Sequence, residues 1–317
     1  MISSTATEII NAIKAASTVM VCGHIRPDGD CIGSAMAMRR ICEKLGKKAD
    51  AVCDAEKPSA FAFLPEYSEF CAPRFDNYDL FIAVDCATEK RLGVYGQYLR
   101  SAKKSVHIDH HPVEQMFADI NCVRVEASSV CEVVYSLFAE SGLLDAQSAT
   151  MLYTGLSTDT GHFMHSNTTP EVFRIASELT AYGVDIGAVN RGIYKTKSFN
   201  RIRLTARALD GIELFENGKI AFMTIMRSDM TECGCGMDDT EGLIDYASSI
   251  AGVEISICVC EQEGGTFRTS LRSVAADVSK VANLFGGGGH KLASGCILGG
   301  GREQVKDRLV AAARDAL

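Results

Sequence analysis

The sequence predicts an α/β fold in two parts: an N-terminal, Rossmann-like domain with a parallel sheet, and a smaller C-terminal mixed-sheet α/β domain. Three observations carry that reading. Short apolar runs alternate with amphipathic stretches through the first half, the pattern of a parallel sheet with helices on both faces. Two glycine-bearing turn signals between β-like runs mark hairpins in the second half. Between them, residues 188–209 are polar and basic with helical spacing and read as a connector. The expected division is therefore 1–187, a helical linker at 188–209, and 210–317.

The elements follow in order. Residues 7–16 place Ile9, Ile10 and Ile13 at helical spacing. Val19-Met20-Val21-Cys22 reads as a short buried strand. Residues 32–45 read as a helix ending at Gly46, a glycine C-cap. Residues 49–53, 80–84 and 105–108 are the next strands, and 130–141 and 147–158 the next helices. Residues 170–182 form an amphipathic helix with Gly183 just beyond. In the second half, residues 211–215 and 219–225 flank Glu216-Asn217-Gly218, and 255–261 and 266–273 flank Glu263-Gly264-Gly265. A short helix at 278–284 and a closing one at 302–316 complete the chain. It shows no internal repeat and no low-complexity tract.

A chain of 317 residues suffices for two ordinary domains. With 47% hydrophobic and 23% charged residues, it reads as an ordinary soluble globular protein. No apolar stretch approaches the roughly 20 residues a membrane span needs. No basic stretch followed by an apolar core opens the chain, so the expected compartment is the cytoplasm. The 13 cysteines, scattered through apolar segments, then read as reduced, buried thiols. Cys233 and Cys235 lack the second half-site that a zinc cluster would need. The net charge of −8 argues against a protein that coats long nucleic acid. Residues 264–317 carry +4, however, and the rest −12.

Only seven histidines occur, and most stand in short polar strings just after apolar runs. One string is His24-Ile25-Arg26-Pro27-Asp28-Gly29-Asp30-Cys31-Ile32-Gly33-Ser34. The next is Leu80-Phe81-Ile82-Ala83-Val84-Asp85, then His107-Ile108-Asp109-His110-His111-Pro112, then Ser157-Thr158-Asp159-Thr160-Gly161-His162. In an open α/β sheet such run ends converge on one edge, where ligands bind. Pro27 and Gly29 force a tight bend, so Asp28 and Asp30 share a small volume. Two carboxylates that close repel each other unless a cation neutralises them. The donors are imidazole and carboxylate with no thiolate required. That set favours a borderline to hard metal such as Mn²⁺, with Mg²⁺ or Co²⁺ as substitutes, and suffices for two ions.

Near the C-terminus, residues 284–295 read LFGGGGHKLASG. Consecutive glycines let backbone amides approach a phosphate closely. Gly287, Gly288, Gly289 and His290, with Arg272 and Ser273 at the end of a predicted strand, are the candidate substrate contacts there. Arg272 can pair two phosphate oxygens at once. Arg91, six residues after Asp85, is read as a further phosphate contact.

These strings closely resemble the motifs of the DHH phosphoesterase superfamily. HxRPDGDCIGS, the Asp85 motif, HIDHHP and STDTGHF match in order, and GGGGH is similar to the motif of the DHH-associated C-terminal domain. The resemblance covers essentially the whole chain. It is closest to the short two-domain oligoribonucleases (nanoRNases) that also remove the 3′-phosphate of pAp. It implies that one Mn²⁺ is held by His24, Asp28 and Asp85. A second is held by Asp30, Asp85, His110 and Asp159, with Asp85 bridging. Asp109 orients the neighbouring imidazole, and His111 faces the scissile phosphate. A water activated by the two ions attacks phosphorus. The substrate is short RNA, a dinucleotide or pAp, gripped by the C-terminal domain at an interdomain cleft. No long duplex nucleic acid or membrane partner is implied, and a homodimer is allowed. The enzymatic alternative is a phosphodiesterase for cyclic-di-AMP or linear pApA; the non-enzymatic one is a nucleotide-binding sensor. His107, His162 and His165 read as packing or surface positions.

Overall fold

The computed structural model describes residues 4–55, 57–70, 72–113 and 115–317. Cys71, one of the thiols read as buried, lies outside them. The chain divides into two compact units, Met1–Thr196 and Lys197–Leu317. Among the described residues, no helix is long and apolar enough to cross a membrane.

The first unit contains α1 (Ser4–Ala15), β1 (Thr18–Cys22), α2 (Gly29–Lys44), β2 (Lys48–Val52) and β3 (Leu80–Val84). It continues with α3 (Gly96–Ser101), β4 (Lys104–Asp109), β5 (Ile120–Val123), α4 (Val130–Phe138), α5 (Ala146–Asp159), α6 (Pro170–Ala181) and α7 (Ile186–Asn190). Its sheet runs β2-β1-β3-β4-β5, with every neighbouring pair parallel. β1 and β3 explain why their sequences show no polar alternation. Val19, Val21, Ile82 and Val84 enter the larger core with residues of α1, α2, α4, α5 and α6. Met20, Cys22, Phe81 and Ala83 face a second core with Tyr78, Leu92 and Leu99. Both faces are buried, as parallel sheets require. The second face is the thinner, covered by α3 and short 3₁₀ turns.

The strand at β5 is absent from the sequence reading. It is four residues long, and only Ile120 and Cys122 are buried. So short an edge strand leaves no periodic signal. α2 begins at Gly29, three residues before the expected start, because the Asp28 carboxylate caps it. Asp28 Oδ1 accepts from the Asp30 and Cys31 amides, both at 3.1 Å.

α2 and α5 are packed through glycine. A Cβ on Gly33 would lie 2.4 Å from the Met151 carbonyl oxygen, and one on Gly155 would lie 2.8 Å from Asp30 Oδ1. This approach brings Asp30, in the first turn of α2, toward Asp159 at the end of α5.

The second unit contains α8 (Phe199–Asp210), β6 (Glu213–Phe215), β7 (Ile220–Ile225), α9 (Arg227–Cys233), α10 (Ile244–Ser248), β8 (Ile255–Glu261) and β9 (Thr266–Ser273). It ends with α11 (Val278–Asn283), β10 (Gly288–His290), β11 (Ala293–Gly299) and α12 (Arg302–Arg314). Its sheet runs β10-β11-β9-β8-β7-β6 and is mixed, β7 and β8 being the parallel pair. The hairpin signals are realised: Asn217, Gly218, Gly264 and Gly265 all have positive φ. β8 serves two cores by alternation. Ile255, Ile257 and Val259 pack with residues of α11 and α12, and Cys258 and Cys260 with residues of α8, α9 and α10. Residues 188–209 span most of α7, a π-helical turn at Arg191–Lys195 and nearly all of α8, whose Leu204 and Ala208 are buried in that second core.

Gly33→Ala is expected to force α2 off α5 and to lower stability by about 1–3 kcal/mol, the usual cost of overpacking. A denaturant-unfolding midpoint equal to that of the parent would contradict this close approach.

Candidate metal centre

In β2-β1-β3-β4 the connections after β1 and β3 leave in opposite directions across the sheet, and ligands bind beyond the strand ends at such a point. His24 follows β1 and Asp85 follows β3 immediately. Asp85 has φ +57, a conformation uncommon outside glycine, and its amide donates to the Ile108 carbonyl at 3.1 Å. The turn drives its carboxylate inward to 2% exposure.

The imidazoles are held in a telling way. His24 Nδ1–H donates to the Ile25 carbonyl at 2.7 Å, which leaves Nε2 3.3 Å from Asp85 Oδ2 and 3.9 Å from Asp28 Oδ2. His110 Nδ1–H donates to the Ala127 carbonyl at 3.2 Å, which leaves Nε2 3.3 Å from Asp159 Oδ2 and 3.9 Å from Asp85 Oδ1. A ring pinned through one nitrogen and presenting the other is the usual state of a metal-ligating histidine. His111 differs. Its Nδ1–H donates to Asp109 Oδ1 at 2.9 Å and lies 3.3 Å from Asp85 Oδ1.

Charge is crowded here. Asp30 is fully buried, with Oδ2 accepting from the Val130 amide at 2.6 Å and Oδ1 from the Cys131 amide at 2.8 Å, at the N-terminus of α4. Burial, with Asp85 and Asp28 nearby, still raises its pKa well above the carboxylate range. Burial and the charges of Asp30, Asp28 and Asp85 push Asp159 up to about 10. Asp28 is raised by the surrounding protein mass and by the charge of Asp85, although its side chain is 58% exposed to solvent. Burial opposes protonation of His24, but the hydrogen bond and charge of Asp85 raise its pKa. Asp109 goes the other way: despite burial, hydrogen bonds from His107 and His111 hold it well below the usual range. In return, the hydrogen bond to Asp109 raises His111.

Asp85 Oδ1 is buried with no hydrogen-bond partner. An orphaned carboxylate oxygen facing two imidazoles, among carboxylates that repel one another, fits a divalent cation. Among the described residues, three groups have ligand atoms within 4.8 Å of one another: His24, Cys31 and Asp85; Asp85, His110 and His111; Asp30, His110 and Asp159. The structure thus brings together His24, Asp30, Asp85, His110 and Asp159, with Asp28 beside His24. Cys31 is an addition that its place inside the first string did not suggest. Cys233 and Cys235 are in none of these groups.

Arg91 lies beside the site. Its carbonyl accepts from the Ile25 amide at 2.8 Å, and its charge opposes protonation of His111. His162 packs as expected, its ring 4.7 Å from that of Tyr194. His107 is fully buried and 4.2 Å from the Phe117 ring, and it also bonds Asp109, which packing alone did not anticipate. The signal was present: in a strand, residues 107 and 109 share a face.

In the second unit, the glycine string runs from a turn at Gly286 into the edge strand β10, which takes Gly288, Gly289 and His290. A Cβ on Gly287 would lie 2.2 Å from the Gly295 carbonyl oxygen, and one on Gly289 would lie 2.6 Å from Ser294 Cα. These two glycines are needed for the approach to β11; Gly288 has open space, with Asn283 Oδ1 nearest at 3.8 Å. The register places His290, Ala293 and Arg272 in one row across β10, β11 and β9, so His290 and Arg272 share a face. Arg272 Nη1 donates to the Leu271 carbonyl at 3.0 Å, and Ser273 Oγ to the Ala276 carbonyl.

A cluster of carboxylates and imidazoles at the switch point of a parallel sheet, in a chain with a second mixed-sheet unit, defines a metal-dependent hydrolase. Residues 18–156 match the DHH family N-terminal domain and residues 217–317 the DHHA1 domain. The chain belongs to the DHH family. It is 28% identical to the bifunctional oligoribonuclease and PAP phosphatase NrnA of Bacillus subtilis, over 91% of this chain and 92% of that one. It is 29% identical to the protein of that name from Thermus thermophilus, over 98% and 93%. The crystal structure of an exopolyphosphatase-related protein from Bacteroides fragilis superposes with a TM-score of 0.93, at 25% identity, covering 99% of this chain and 97% of that one.

With the metal chelated, the protein is expected to lose stability as pH rises. The folded-state pKa values of Asp28, Asp30 and Asp159 lie above their unfolded values, so the folded state binds more protons. Stability then falls from about pH 4, the unfolded carboxylate value, toward about 10, where Asp159 titrates. His24 and His111, also raised, add loss of the same sign. Saturating Mn²⁺ should flatten the slope. Melting temperatures from pH 5 to 9 (about the stable range), with chelator and with Mn²⁺, test this; a chelated protein that grows more stable across the window would refute it.

Proposed function

We propose that this chain is a cytoplasmic, Mn²⁺-dependent phosphodiesterase that hydrolyses dinucleotides and short oligoribonucleotides and removes the 3′-phosphate of pAp. The observation that carries the chemistry is the Asp85 carboxylate, whose orphaned Oδ1 faces His110 and His111 while its Oδ2 faces His24. The substrate class rests on similarity to relatives of that named activity over nine-tenths of both chains. The donor set of imidazole nitrogen and carboxylate oxygen suits Mn²⁺.

His24, Asp28 and Asp85 would hold one ion, and Asp30, Asp85, His110 and Asp159 would hold the other. When bound, the pair supplies Lewis-acid polarisation of the phosphoryl group and a water acidic enough to react at neutral pH. The protein's own groups do the rest. Asp109 fixes the His111 ring, and His111 donates to a phosphoryl oxygen as charge develops there. Arg91 adds positive charge beside it. Arg272, Ser273, Gly287, Gly288, Gly289 and His290 grip the remainder of the substrate; the oxygen of water bonds to phosphorus as the P–O3′ bond breaks, and the 3′-oxygen leaves as a hydroxyl with a proton derived from that water. Free, buried cysteines such as Cys22, Cys42 and Cys86 suit a reducing compartment.

The deciding experiment is a substrate panel with Mn²⁺ present: pAp, RNAs of graded length, linear pApA and cyclic-di-AMP. Short RNA and pAp should turn over fastest. Equal rates on a very short RNA and on one several times longer, or a preference for cyclic-di-AMP, would overturn the assignment.

Asp85→Ala should abolish activity and lower bound metal. His111→Ala should retain its manganese yet lose about 10²–10³-fold in kcat, the effect of removing one transition-state donor. Metal analysis and single-turnover rates on both variants separate the roles; metal loss in His111→Ala would make that residue a ligand.

Arg272→Ala should raise KM more than it lowers kcat, because a phosphate contact is made in ground and transition states alike. A charge-assisted bond contributes about 1.5–3 kcal/mol, so KM should rise by roughly ten- to a hundredfold. An unchanged KM on a dinucleotide would remove Arg272 from the substrate grip.

A further inference from the structure

We propose that His107 is a positioning residue for His111, acting through Asp109. The inference rests on the reading of His111 as the donor to substrate.

The two oxygens of Asp109 divide their tasks. Oδ1 accepts three hydrogen bonds: from the His110 amide at 2.7 Å, the His111 amide at 3.0 Å and His111 Nδ1 at 2.9 Å. Oδ2 faces His107 Nε2 at 3.2 Å. The carboxylate is fully buried, so no bulk water stands in for His107 at Oδ2. Without that donor, Oδ2 would be an unsatisfied, buried, charged oxygen. The carboxylate would then turn to share its remaining donors, and the grip of Oδ1 on the His111 ring would loosen.

The proton on His107 is fixed by its surroundings. Nε2 lies between two acceptors, the Cys86 carbonyl at 3.1 Å and Asp109 Oδ2. It therefore carries the hydrogen and donates to both. Cys86 directly follows Asp85, so one imidazole ties the turn that presents Asp85 to the strand end that presents His111. The Phe117 ring packs on the His107 ring, 4.2 Å away and tilted by 33°.

A purely structural role explains less. A wholly buried strand position facing Phe117 and Cys86 would ordinarily hold an apolar residue. His107 Nδ1 is buried with no hydrogen-bond partner, a cost that packing does not offset. A residue retained at such cost, with its one donor aimed at the carboxylate that orients His111, is placed for function.

The test is a double-mutant cycle with the full-length, manganese-loaded enzyme on a dinucleotide. The first variants are His107→Leu, which removes the donor at similar size, and His107→Gln, which keeps an N–H near the Nε2 position. His107→Leu should lower kcat by roughly ten- to a hundredfold, the usual effect of losing an outer partner. KM should change by less than about threefold, and manganese content should be unchanged, because binding and metal ligation do not pass through this bond. His107→Gln should recover most of the loss. In a His111→Ala background, His107→Leu should cost almost nothing further, since its route of action is already gone. If His107→Leu is not recovered folded, His107→Asn, whose shorter side chain withdraws the donor from Oδ2, replaces it in the cycle. Additive losses in the two backgrounds, an unchanged kcat, or activity that falls only as manganese is lost would overturn the proposal. A His111→Ala enzyme with unimpaired kcat would instead overturn the prior reading of His111, and is thereby distinguishable.

Discussion

Buried negative charge is the constraint on which the first unit depends. Asp30, Asp85 and Asp159, with the more exposed Asp28 at their edge, reach one small volume from the end of one strand and the ends of two helices, and like charges there cannot all stay ionised without a cation. The surrounding backbone meets part of that demand. The N-terminus of α4 donates to both oxygens of Asp30, and the first turn of α2 donates to Asp28. What it leaves unmet is Asp85 Oδ1. The sheet order explains why these groups can meet at all: β1 and β3 are neighbours whose connections leave in opposite directions, so their ends open a crevice.

Three histidines at this site take different characters from what holds Nδ1. His24 and His110 rest on backbone carbonyls and turn Nε2 toward the carboxylates of Asp85 and Asp159. His111 rests on a carboxylate, which favours its charged form and a role toward an anionic substrate. The same ring type thus presents Nε2 in two cases and leans on a carboxylate in the third, within a few ångströms. Its surroundings, not its identity, decide which.

The second unit is built differently. Its sheet is covered on both sides, and β10 and β11 extend it with a strand so rich in glycine that no propensity argument would nominate it. The glycines at 287 and 289 are there because β11 leaves no room for a Cβ. One consequence is chemical: the hairpin register sets His290 in line with Arg272, two strands away.

The sequence by itself determined the sheet class, the strand ends and the ligand types. Residues 80–84 are a buried strand because every residue is apolar, and a lone Asp directly after them has few roles but a polar one. The order of the four strings, with their imidazoles and carboxylates, was enough to locate a metal centre. Only the tertiary structure decided which atoms meet. Gly33 and Gly155 looked like ordinary helix glycines until α2 met α5. The Ile25 and Ala127 carbonyls that orient His24 and His110 have no side-chain signature. His107 read as packing although Asp109, two residues on in the same strand, shares its face; its contact with the Cys86 carbonyl exists only once β4 lies beside β3. Local pattern reports what a residue is and which face it occupies. Hydrogen-bond partners distant along the chain arise from packing, and packing is where the work of each histidine was assigned.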